Sequence, residues 1–274
     1  MNEQRVDMPF KHKEKKKPPP YLYYYRPYDE YAIDIIKNRR LYLKSPRQFN
    51  DPFDCSAYSL RIGPPKYYKK SFQNDLKKEY ISQEQKNRIG NILITKEYEK
   101  PEFWNGLAAG MQAEINKFGI FSFTTRPDNF LMWSHYADKH NGICFGFEMS
   151  KMPTVLQKIM KVNYNEKRPI IEFSNQKQYH TIFDTKSPIW RYETEWRVVA
   201  NQMANTHVSF PDEAITAVLC GVGMTDVKIE EIATYCLGFR NKPKLFRGVK
   251  GSTKYTIQFQ QIEYRSFGAR AKED

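Results

Sequence analysis

Apolar and polar positions along the chain change period several times, and each change predicts an element. Tyr21–Tyr28 is a tyrosine-rich strand ended by Pro27. Asp29 then stands where a helix cap belongs, and Ala32, Ile35 and Ile36 follow with helical spacing to about Arg40. A short strand at Leu41–Lys44 runs into Ser45-Pro46-Arg47-Gln48-Phe49-Asn50-Asp51-Pro52-Phe53-Asp54, whose turn formers and aromatics predict a fixed irregular loop. Lys66–Leu93 and Pro101–Phe118 carry helical spacing and form a helical insertion at about 62–118. Next come a strand at Gly119–Thr125, a helix at Asp128–Lys139 and a strand at Gly142–Glu148. Ser150–Met160 reads as helical, Lys161–Tyr164 as extended and Phe173–Phe183 as helical. Strands follow at Trp190–Ala200 and Ala214–Gly221, then a helix through Cys236 capped by Thr225 or Asp226, and two strands at Lys244–Val249 and Tyr255–Tyr264.

These elements predict an α+β protein with largely antiparallel central sheets, flanking helices and one helical insertion. The expected organisation is a flexible basic arm over 1–20, a single α+β domain over 21–265 and a tail over 266–274. An aromatic content of 15% within 40% hydrophobic residues is ample for a core, so the chain is not read as disordered. The apolar runs Gly142–Phe147 and Ala214–Met224 are much shorter than a bilayer span, and the N-terminus lacks an apolar signal region. The expectation is therefore a cytoplasmic protein without a membrane contact.

Charge adds a class of partner. With 44 Lys and Arg against 31 Asp and Glu, the formal charge of +13 favours an anion, whether nucleic acid, an acidic protein or a phosphate-bearing ligand. Cys55, Cys144, Cys220 and Cys236 form no C-x-x-C pair and are expected to be free core thiols. His135 and His140 are five apart rather than the four that would place them together on a helix, so no metal site is expected.

The densest chemistry lies in Tyr192-Glu193-Thr194-Glu195-Trp196-Arg197. On a strand, Glu193, Glu195 and Arg197 would share one face, and Tyr192, Thr194 and Trp196 the other. That face is either a site or a solvated ion-pair surface. Leu131-Met132-Trp133-Ser134-His135-Tyr136 puts a hydroxyl, an imidazole and a phenol on a predicted helix, with Leu131 and Met132 better explained as core. On the first strand Tyr24 and Arg26 share a face, and an arginine there suits a bidentate grip on phosphate.

The order of Tyr24-Tyr25-Arg26, Phe49-Asn50-Asp51-Pro52-Phe53-Asp54, Met132-Trp133-Ser134-His135-Tyr136-Ala137 and Tyr192-Glu193-x-Glu195-Trp196-Arg197 resembles a large bacterial family of uncharacterised domains associated with phage defence and toxins. More distantly, the layout is similar to ADP-ribosyltransferase-like domains. That resemblance implies a transferase or NAD glycohydrolase acting as a bacterial effector, with NAD as its substrate and no metal. It implies Glu195 as the catalytic carboxylate, with Glu193 as competitor and His135 beside them. Tyr24, Arg26, Asn50, Ser134, Tyr136 and Arg197 would contact the dinucleotide. The target it implies is a nucleic acid or a protein, with a neutralising or activating protein partner. Two other readings stay open: a non-catalytic module that binds nucleic acid or a partner through the arm and Lys66–Leu93, and a nuclease holding Mg²⁺ on Glu193, Glu195 and Asp51.

Overall fold

A computed structural model of the chain describes residues 17–57, 65–169 and 179–264. Most of the predicted arm, the tail over 266–274 and residues 173–178 of the helix expected at Phe173–Phe183 lie outside the described residues; inside them is a helical turn at Thr181–Asp184. The chain divides into two compact units.

The larger unit comprises Lys16–Lys44, Gly119–Val162 and Ile189–Asp274. Its first strand β1, Tyr21–Arg26, leads to helix α1, Glu30–Asn38, where the Asp29 carboxylate accepts the Ala32 amide as an N-cap and Ala32, Ile35 and Ile36 are buried. Arg39 closes α1 in the left-handed region, and β2, Arg40–Leu43, follows.

The smaller unit is built from Ser45–Phe118 and Asn163–Pro188. The predicted helix Lys66–Leu93 is two helices, α2 at Pro65–Asp75 and α3 at Gln83–Thr95. Ser82 restarts the helix through a capping box with Gln85, which is the physical reason for the break. With α4, Pro101–Ile115, they enclose Tyr68, Phe72, Ile92 and Tyr98. In the Phe49–Asp54 loop, Asp51 accepts the Phe53 amide at 2.9 Å, and buried Asp54 meets buried Lys186 at 3.5 Å.

In the larger unit the chain continues through β3, Gly119–Thr124, helix α5, Phe130–Tyr136, and β4, Ile143–Glu148. The helix expected over Ser150–Met160 is only a short α6, Thr154–Gln157, set off by Pro153. Ile159–Lys161 is a strand, β5, because it pairs with a neighbour in the sheet. Asn163–Tyr164 and Thr185–Lys186 form a two-residue parallel pair, β6 and β7, in the smaller unit, with α7, Thr181–Asp184, between them. Then come β8, Glu195–Ala200, β9, Thr206–Ser209, β10, Ile215–Cys220, helix α8, Asp226–Cys236, β11, Lys244–Lys250, and β12, Ile257–Ile262. Thr225 takes the N-cap position of α8 without a side-chain cap bond, contrary to expectation, and Asp226 pairs with Arg247.

Eight of these strands form one sheet in the order β12-β11-β10-β4-β1-β3-β8-β5, antiparallel except where α8 carries the chain from β10 to parallel β11. The α+β class with a largely antiparallel sheet is as expected. One face carries Leu22, Phe121, Phe123, Phe145, Phe147 and Trp196 and packs with α1 and α8. The opposite face carries Tyr25, Cys144 and Leu219 beneath Trp133 of α5. Strand β9, which the sequence pattern did not suggest, pairs with β2 outside this sheet.

All four cysteines are free and buried. Burial pushes the Cys144 thiol well above its ordinary range, and Cys220 and Cys236 up to about 12. A thiol-reactive dye is therefore expected to label none of them rapidly in the native protein and all four in denaturant; one fast-reacting native thiol would contradict this packing.

No helix among the described residues is long and apolar enough to cross a membrane.

Candidate active site

The site begins at the break before β8. The sequence pattern predicts one strand over Trp190–Ala200, but Pro188–Glu193 is a 3-10 helix and the strand starts only at Glu195. Between them Thr194 has φ of 44°, a left-handed conformation that a β-branched residue rarely adopts. Tertiary bonds hold it there: its hydroxyl meets those of Thr124 at 3.1 Å and Thr125 at 2.9 Å. The expected alternation of faces therefore does not apply to Glu193, which reaches the interior by the kink rather than by the strand period. Both Glu193 and Glu195 are buried, at 4% and 3% exposure.

Helix α5 supplies the other wall. Asn129 caps its start, accepting the Leu131 and Met132 amides, while its Nδ2 donates to the Tyr192 carbonyl at 2.7 Å. The helix is shorter than the predicted Asp128–Lys139 because Asp138, Lys139 and His140 are left-handed, at φ of 45°, 51° and 71°. This turn is clamped from outside: the Gly221 amide donates to the Gly142 carbonyl and the Gly223 amide to the His140 carbonyl, both at 2.9 Å. Leu131, expected in the core, is 43% exposed, since the helix buries Met132 and Trp133 instead.

Two consecutive residues of α5 meet two consecutive residues of the 3-10 helix. Nδ1 of His135 lies 2.9 Å from the Tyr192 hydroxyl, and the Tyr136 hydroxyl donates to Glu193 Oε1 at 2.5 Å. Glu195 is held differently: Nε and Nη2 of Arg197 both reach its Oε1, at 2.8 and 2.7 Å, with Arg197 fully buried. A guanidinium lies directly against Glu195 and offsets its charge, and a phenol hydroxyl fixes the Glu193 carboxylate.

The remaining predicted contacts are spread more widely. Ser134 is half-buried on α5. Tyr24 and Arg26 leave β1 on the opposite face of the sheet: Tyr24 stacks against Phe121 at 4.5 Å, while Tyr25, next along, meets Trp133 at 5.1 Å. Arg26 gives Nη2 and Nε to Asp29 at 2.9 and 3.1 Å and lies over the Tyr31 ring. Arg26 thus braces the start of α1, and the structure does not bring it to the carboxylates. Asn50 is an exposed residue of the smaller unit. No group of three or more His, Cys, Asp or Glu suited to a metal occurs among the described residues, and Asp51 serves as a turn acceptor in the smaller unit.

The sequence pattern singles out Tyr136 and Glu193 but not their contact, and it places Thr194 on a regular strand rather than at a kink. The one local signal was a threonine flanked by two acids between Tyr192 and Trp196.

No curated protein and no solved structure matches the chain. The family described as "Protein of unknown function (DUF2971)" matches residues 132–198. The matched stretch begins in α5 and ends in β8, so it contains both halves of the carboxylate site.

Proposed function

We propose that the protein cleaves the N-glycosidic bond of NAD and transfers the ADP-ribosyl group, with Glu193 as the working carboxylate. The observation that carries this reading is the buried Glu193 held by the Tyr136 hydroxyl at 2.5 Å. As the C1′–N bond breaks, its electron pair leaves with nicotinamide, which becomes neutral, and positive charge develops on the ribose. A fixed carboxylate in a site with little water stabilises that charge most in the transition state. The incoming nucleophile, water or an acceptor group, then loses a proton, for which the imidazole of His135 beside Tyr192 is a suitable acceptor. The rings of Trp190, Tyr192 and His135 offer flat surfaces for nicotinamide.

This reading gives Glu195 a supporting role, as half of a buried ion pair, and assigns nothing to Arg26. Activity of this kind within the producing cell calls for restraint, so a neutralising or activating partner belongs to the same proposal. Incubation of the full chain with NAD is expected to release nicotinamide, and Glu193→Gln to reduce the release by about 10²–10³, the size of effect seen when one electrostatic stabiliser is lost. Unchanged release by a folded Glu193→Gln protein would refute the assignment.

A further inference from the structure

The face of the large sheet that carries Glu195 does not end at α5. Its register places six residues in one cross-strand row: Lys244 of β11, Ala217 of β10, Gly146 of β4, Tyr23 of β1, Thr124 of β3 and Glu195 of β8. Residues paired in this way point to the same side of a sheet. The row spans about 24 Å at the usual strand spacing. It passes from exposed Lys244, through half-exposed Ala217 and Tyr23, to buried Thr124 and Glu195.

Its chemistry is graded as well. The centre is kept low by Gly146 and Ala217, and the Tyr23 ring lies against Gly146, where an added Cβ would come within 3.1 Å of it. Phe246, half-buried and packed with Tyr23 against the Trp133 cluster, stands one row away on the same face of β11, and Tyr21, 48% exposed, one row away on β1. The outer end is strongly basic: from Arg240 to Tyr255 the chain carries Arg240, Lys242, Lys244, Arg247, Lys250 and Lys254 and no carboxylate. Arg247 is taken by Asp226. Of the carboxylates near it, Glu195 is in the row, Glu148 stands opposite Tyr21 and is bonded to Ser150, Asp128 is paired with Arg126, and Glu263, just past β12 where the register leads beside Lys244, accepts from Gln261.

We infer that this open sheet face binds single-stranded nucleic acid, its phosphates at the Lys242–Lys244 end and its bases on the half-exposed rings of Phe246, Tyr21 and Tyr23. Exposed aromatics on a sheet beside a cationic edge suit unpaired bases, which offer a stacking face together with a phosphate backbone. A duplex hides the base faces, and an acidic peptide has no use for the rings. The inference is independent of the proposed NAD chemistry.

The test is fluorescence anisotropy of the full chain with a labelled oligothymidylate of about fifteen nucleotides, without NAD. The single strand is expected to bind, more tightly than a duplex of equal length and more weakly as salt rises. Lys242→Glu with Lys244→Glu should lower affinity by about tenfold or more, whereas Lys69→Glu with Lys70→Glu, exposed on the smaller unit, should leave it unchanged. Tyr21→Ala should weaken binding while keeping the salt dependence, because a stacking platform rather than a phosphate contact is lost. The inference is overturned if the Lys242/Lys244 variant binds like wild type, if the Lys69/Lys70 variant loses as much, if duplex binds more tightly, or if polyglutamate competes as well as the oligonucleotide. Binding by a protein that releases no nicotinamide would sustain this inference and count against the NAD reading alone.

Discussion

Arg197→Met is expected to lower the stability of the larger unit by about 3–5 kcal/mol, because it leaves the buried Glu195 carboxylate without the guanidinium that faces it. For a chain of this size such a loss moves the melting midpoint down by roughly 10 °C. The direction follows from asymmetry. A buried ion pair adds little over a well-packed apolar pair, but half of one is costly, since a charge is then kept from water with no compensation. The double variant Glu195→Met with Arg197→Met should therefore recover part of what Arg197→Met loses. Calorimetry of the two variants checks both statements. Equal midpoints for Arg197→Met and wild type would mean that the Glu195 charge is offset from elsewhere.

The second large effect is expected at Gly221. A Cβ at this position would lie 2.1 Å from the His140 carbonyl oxygen and 2.7 Å from its carbonyl carbon. Neither is the movable end of a side chain, so Gly221→Ala must push apart the turn before α8 and the left-handed turn after α5. A shift there costs about 3 kcal/mol or more, as overpacking of a close backbone approach does. It also has a functional consequence that a surface defect lacks. The displaced turn is the end of the helix that presents His135 and Tyr136, so Gly221→Ala should weaken the site beyond its effect on the folded fraction. Melting temperature and nicotinamide release, measured on the same preparation, separate the two. Gly223→Ala is expected to be milder, because its nearest neighbour is the Asn141 side chain, which can move.

How much of this was legible in the sequence depends on how local the cause was. Helix α1 was readable because its cap, Asp29, and its buried residues Ala32, Ile35 and Ile36 lie within one short segment. Strand β4 was readable from an apolar run bounded by glycine. The Trp190–Ala200 strand was half misread because the kink at Thr194 is imposed by Thr124 and Thr125, some seventy residues earlier, and no local preference of threonine announces it. Helix α5 was extended too far for the same kind of reason: its stop is a left-handed turn held by the glycines after β10. The short β9 offered four residues of alternation and needed its partner β2 to become a strand.

The candidate site shows the same division. The residue types were evident, since carboxylates beside an arginine and a consecutive Ser134-His135-Tyr136 invite a chemical reading. The pairing of Arg197 with Glu195 was legible too, since the strand period sets both on one face, but that of Tyr136 with Glu193 was not. The resemblance implied Glu195 as the working carboxylate; the contact of Tyr136 with Glu193 joins residues 57 positions apart on two elements, which no local pattern could announce. The face on which Arg26 sits was already implied by strand alternation, because Tyr25 between Tyr24 and Arg26 is the residue that meets Trp133.

The central claim is that Glu193, fixed by Tyr136, stabilises the cation formed when NAD is cleaved. Nicotinamide release by wild type, Glu193→Gln and Arg26→Gln, each shown to be folded by its melting curve, tests it most directly. The account predicts release by wild type, its near-complete loss in Glu193→Gln and its retention in Arg26→Gln. Release that survives in Glu193→Gln, or that is lost in Arg26→Gln while the fold is kept, would contradict it.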